Sequence, residues 1–171
     1  MTAGIDLCAI LLIGLMVGNE FAVAAFVHPV LNSLELYPHL AAAKRIAHRL
    51  GRVMPFWYAA CLLVLILETW LHRSQSGSFR LLLSAAILWA GTIVLTVTVL
   101  VPRNNRIAAL DLHRPYEHWK QDRDQWDRLH RVRVLLLVLA FVLLVSGLRR
   151  QPIGAFPLPS DSAAASSSSP V

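Results

Sequence analysis

Glu20 lies deep inside a predominantly apolar run from Ile5 to Val27, and its chemistry is the first to need explaining. A carboxylate at mid-helix depth costs about 2.5–3.5 kcal/mol on membrane-insertion scales, so it must face protein and find a partner. Its roles narrow to proton carrier, counter-ion, metal ligand or a tie between helices. His28 follows eight residues on, about 80° around a helix and some 12 Å along it, just before Pro29, where the helix is expected to kink or end. The segment "QWDRLHRVR" places Trp126, His130 and Arg133 on one helical stripe with Trp119 and Arg123. His48 and Arg52 are one turn apart, and "VPRNNRIAAL" puts Asn104 and Asn105 between arginines where a third apolar run ends. These residue types suit base-initiated chemistry. His130 or Glu20 is the candidate base, and Arg133 or Arg52 with the Asn amides would stabilise a developing oxyanion. Trp126 and Trp119 would stack on a flat ring, while His28 and His48 are the candidate metal ligands.

The elements that must position these groups are membrane helices. The 171 residues are 56% hydrophobic and only 15% charged, outside the usual soluble range. Spans are expected at about 5–27, 53–71, 81–101 and 132–148, since about 20 apolar residues cross a bilayer core. Twelve of the sixteen Lys and Arg residues fall in the first and third connections, which predicts those loops in the cytoplasm and both termini outside the cell membrane. Confinement of the +6 charge to these loops argues against nucleic acid as a partner. The first run has an Ala-Val-Ala motif at 22–24, but Asp6 and the lack of preceding Lys or Arg speak for a retained span over a cleaved signal.

Residues 39–52 predict a short amphipathic helix at the interface, with Arg45, His48 and Arg52 on one face and Leu40, Ala43, Ala47 and Leu50 on the other. Beyond Pro115, the chain runs without a breaker from Tyr116 to Leu148, predicting a cytoplasmic extension of the fourth helix. Gly14, Gly18 and Ala22 form a row that permits close helix approach. Cys8 and Cys61 differ in depth by about 10 Å, too far for a disulfide. The expected architecture is an all-α integral membrane four-helix bundle over residues 1–150, with a disordered Pro/Ser/Ala tail at 151–171. A compact bundle would gather the polar groups at one mouth.

No phosphate-cradling glycine loop, HExxH, CxxC or nucleophile elbow is present. The cofactor stays open: none, a His-ligated metal, or a haem with His ligands. The oligomeric state is undefined.

Within residues 10–148, the chain resembles the anthrone-oxygenase-like four-helix membrane family. The resemblance rests on "VPRNNRIAAL", Trp119, "QWDRLHRVR" running into the last apolar helix, and the first-helix segment "GNEFAVAAFVHPVL". It implies O₂-dependent conversion of a lipophilic aromatic, anthrone to anthraquinone, by a monooxygenase. Asn104, Asn105, Trp126, His130 and Arg133 are the positions that carry over. His28 stands where many members have an apolar residue, and Glu20 is no part of the family pattern. A non-catalytic membrane component and a haem- or metal-binding quinone-linked redox protein are the other two functions open at this point.

Overall fold

A computed structural model describes residues 2–112 and 117–149. The tail expected to be disordered, and the Pro115–Tyr116 start expected for the fourth helix's extension, lie outside the described residues. Four apolar rods, each long enough to cross a membrane, make up the structure, and the described residues contain no strand. The first joins α1 (Thr2–Ala22) through a π-helical turn, Val23–Val27, to α2 (His28–Asn32). The second is α3 (Leu36–Leu71); the third joins α4 (Ser76–Leu95) through a second π turn, Thr96–Leu100, to α5 (Val101–Ala108); the fourth is α6 (Trp119–Arg149). Consecutive rods pack side by side and α1 meets α6, closing an up-down-up-down ring.

Most of the ring's interior is filled. Ile13, Met16, Cys61, Leu65, Leu82, Trp89, Leu137 and Leu144 form a sealed apolar core toward the end that bears both the start of α1 and the end of α6. Gly147 lets α6 lie close on α4: a Cβ there would stand 2.9 Å from Leu82 Cγ. At the opposite, arginine-rich end, only Ala43, Ala47 and Ile107 form a small second cluster. The space between the two clusters is where the polar groups gather. Leu7, Leu15, Phe26, Phe56, Leu63, Ile87 and Leu135 are exposed on the outside, as a lipid-facing surface requires.

Three local expectations change. The segment 39–52 is no separate helix, because α3 runs unbroken from Leu36 through Pro55 to Leu71. Its faces nevertheless divide as expected, with Leu40, Ala43 and Ala47 buried and Arg45, His48 and Arg52 exposed. The row of small residues on α1 is not a close contact along its length. Gly14 abuts Phe141, yet a Cβ at Gly18 would meet nothing within 4 Å. Pro29 neither ends nor sharply breaks its rod; the π turn before it lets the chain continue to Asn32.

Candidate functional site

Both π turns sit just ahead of a proline, Pro29 in one rod and Pro102 in the other. Proline lacks an N–H, and its ring clashes with the carbonyl four residues back. Widening the preceding turn relieves that clash: His28 N–H bonds to Val23 O and Val101 N–H to Thr96 O, each spanning five residues. A widened turn absorbs one residue, so a spacing of eight acts like seven, which is nearly two helical turns. Glu20 and His28 are eight apart across the first turn, and Thr96 and Asn104 are eight apart across the second. All four line one cavity.

That cavity has a volume of about 350 Å³ and draws residues from all four rods. Its size falls within the range of about 300–1,000 Å³ typical of small-molecule sites. Leu50, Met54, Leu62, Ile93 and Leu100 supply apolar wall; Tyr58, Arg123, Trp126, His130 and Arg133 join the polar groups already named. On one side Gly51, Pro55 and Ala59 of α3, and Val97 and Val101 of the third rod, both line the cavity and are exposed. The cavity therefore opens sideways between these two rods, onto a face that lipid would cover.

Two polar networks meet inside it. In the first, Arg133 Nη2 donates to Glu20 Oε2 at 2.6 Å and Arg133 Nη1 donates to Thr96 Oγ1 at 3.1 Å, joining the first, third and fourth rods. Glu20 and Arg133 are only 3% and 6% exposed, so each removes the cost of burying the other. The same Nη2 lies 2.9 Å from His130 Nδ1. An arginine cannot accept, so Nδ1 is the acceptor and the neutral ring carries its proton on Nε2. In the second network, His28 Nδ1 stands 3.4 Å from Asp127 Oδ1. Asn32 Nδ2 donates to Asp127 Oδ2 at 3.3 Å, and Arg123 Nη2 lies 3.1 Å from Oδ1. The rings bridge the two networks: Trp126 stacks on His130 at 4.9 Å and 13°, and His28 packs edgewise or tilted against both at 5.0 and 4.9 Å. Asn104 lies flat against Gly51, where a Cβ would come within 3.3 Å of its Nδ2, and donates to Ala47 O at 3.2 Å.

Of the residues singled out from the sequence, Glu20, His28, Asn104, Trp126, His130 and Arg133 are brought together. Asn105, His48, Arg52 and Trp119 are not: none lines the cavity, the first three are exposed, and Trp119 packs edgewise on His39 at 5.7 Å. For His48 and Arg52 the reason is the straight course of α3, which turns Ala47, Gly51 and Met54 inward and leaves the intervening polar residues outside. His28 and His48, the expected metal ligands, therefore do not meet, and the ring beside His28 is His130. Asp127, Thr96, Tyr58 and Asn32 went unnoticed in the sequence. Asp127 carried the only signal, an acid next to Trp126 one turn before Arg131, indistinguishable there from a solvated face.

A profile of the family described as anthrone oxygenase matches residues 43–143. No curated protein and no solved structure matches the chain. The match holds the cavity's Asn104, Trp126, His130 and Arg133, while Glu20 and His28 lie before it. With more than half of its length under that match, the chain belongs to the anthrone oxygenase family.

Proposed function

We propose that this membrane protein oxidises a lipophilic aromatic of the anthrone class with O₂ inside the four-rod cavity. The observation that carries the reading is a single cavity combining apolar walls, a side opening and two histidines, each with one ring nitrogen beside a charged neighbour. The chemistry balances with no further reactant: anthrone plus O₂ yields anthraquinone plus water. A base removes a methylene proton, the resulting electron-rich anion reduces O₂, carbon and oxygen join as a peroxide, and loss of water forms the second carbonyl.

The two histidines suit different parts of this sequence. Asp127 Oδ1, 3.4 Å from His28 Nδ1 and without a hydrogen-bond partner, would accept the Nδ1 proton on a small closure, which leaves the Nε2 lone pair as base. His130, with Nδ1 occupied by Arg133, offers Nε2–H to the oxygen on which charge builds, and Arg133 adds its positive field. This gives the base role to His28 in place of His130 or Glu20. Glu20 then acts as the counter-ion that fixes Arg133. Asn104 is a second amide near the substrate, and Trp126 a stacking wall. The basic end would face the cytoplasm of the cell membrane, with both termini outside, because twelve of the sixteen Lys and Arg residues belong to it.

The test is O₂ uptake and quinone absorbance for the protein in lipid nanodiscs with unsubstituted anthrone, corrected for the protein-free rate. One O₂ consumed per quinone is expected, with kcat falling by about 10²–10⁴ in His28→Ala and His130→Ala. Wild-type protein that adds nothing to the protein-free rate overturns the proposal. One observation favours a second reading, a non-catalytic component: the Glu20–Arg133 bond ties α1 to α6. On that reading, the same variants shift thermal unfolding while wild type and variants alike leave anthrone untouched.

A further inference from the structure

At the end of the bundle away from the cavity, Asp6 of α1 and Glu68 and His72 of α3 each bring one ligand atom within 4.8 Å of the others. No other group of three His, Cys, Asp or Glu does so among the described residues. Glu68 is the telling member. Its side chain is fully buried beside the Asp6 carboxyl, and no N–H donates to either carboxylate oxygen. His72, also buried, places Nδ1 3.0 Å from the Glu68 backbone oxygen and 3.5 Å from Glu68 Oε2, one helical turn away on the same face of α3, so ligation through Nδ1 exchanges that backbone bond for the metal. Arg73 and Arg80, the cations of the adjoining connection, are engaged elsewhere. Arg73 donates to Trp70 O and lies over the Trp70 ring, and Arg80 donates to Ser76 O. Two carboxylates and an imidazole thus converge, and the oxygens of the buried Glu68 accept from no N–H.

We propose that Asp6, Glu68 and His72 bind a divalent first-row transition-metal ion, of which Zn²⁺ is the probe, and that the ion fastens α1 to α3. Two carboxylates and a neutral imidazole sum to a charge that a dication balances, and the mixed O/N donor set suits such an ion. Around tetrahedral Zn²⁺, with bonds of about 2.0–2.2 Å, ligand atoms stand roughly 3.4 Å apart, so the three groups need to close by about 1 Å. A water completes the fourth position. This site shares no residue with the cavity and does not rest on the proposed oxidation.

The test is equilibrium dialysis of the chelator-stripped protein in nanodiscs against Zn²⁺, with metal counted per chain and thermal unfolding followed alongside. One equivalent bound with a raised midpoint is expected. Glu68→Gln and His72→Ala should each weaken binding by roughly tenfold or more. If the buried Glu68→Gln fails to fold, Asp6→Asn at the partly exposed ligand decides. His130→Ala, in the cavity, should bind as wild type does. No stoichiometric metal on wild type, undiminished affinity in Asp6→Asn, or loss of the bound ion in His130→Ala would overturn the site.

Discussion

Among the described residues, the ion pair between Glu20 and Arg133 is the most consequential contact between two side chains, because both charges are buried and each is the other's main compensation. Breaking such a pair from one side leaves an uncompensated charge, with a cost of about 3–5 kcal/mol, whereas replacing both partners with apolar groups of similar size costs far less. Glu20→Met and Arg133→Met should therefore each lower unfolding stability by about that amount, and the double variant by less than either alone. A double-mutant cycle read by denaturant or thermal unfolding checks this; additive losses would mean that the pair is not coupled. The members of this network differ in how visible they were. Trp126, His130 and Arg133 share a stripe set by helical period alone, so the sequence exposed them. Thr96 and Tyr58 are ordinary residues of apolar helices, and only the packing of the fourth rod, with its Arg133, gives them polar company.

Among the elements, the two π turns decide which residues face inward. A continuous α-helix would place Glu20 and His28 about 80° apart, and the absorbed residue brings them onto one side. The Pro29 signal was legible as a disturbance, but a widened turn and a kink share the same sequence mark, so the shared face was not. Inserting one alanine after the lipid-facing Phe26 should swing His28 about 100° away from the cavity. Deleting Phe26 should restore ordinary helix with Glu20 and His28 seven apart, still on one face. Anthrone turnover should fall to the His28→Ala level in the insertion and survive better in the deletion. Equal activity in the two would show that the turn does not set the register. The side opening makes a further demand on α3 and the third rod. Ala59→Trp, at its rim and away from the polar networks, should raise KM for anthrones several-fold with kcat little changed. A kcat loss at constant KM would place Ala59 in the chemistry instead.

The whole molecule is longer than the membrane it crosses. At about 1.5 Å per residue, the 36 residues of α3 and 31 of α6 span roughly 54 and 46 Å, against a hydrocarbon core of about 30 Å. The four-rod, all-helical plan was readable from hydropathy because apolar runs of span length have few alternatives in lipid. The arginine-bearing turns of α3, with Lys44, Arg45, Arg49 and Arg52, mark the end that leaves the hydrocarbon. Pro55, Ala59 and Val97 of the opening's rim lie on the apolar side of these turns, so a lipophilic aromatic would reach the cavity from the hydrocarbon. Orientation then decides which compartment exchanges with the polar side of the site. In a Cys8→Ser background, with Cys61 buried, His48→Cys and Ser74→Cys put single exposed thiols at opposite ends of the bundle. A membrane-impermeant maleimide applied to intact cells should label Ser74→Cys at once and His48→Cys only after permeabilisation. The opposite pattern would put the basic end outside, against its charge bias, and move the polar mouth of the cavity away from the cytoplasm.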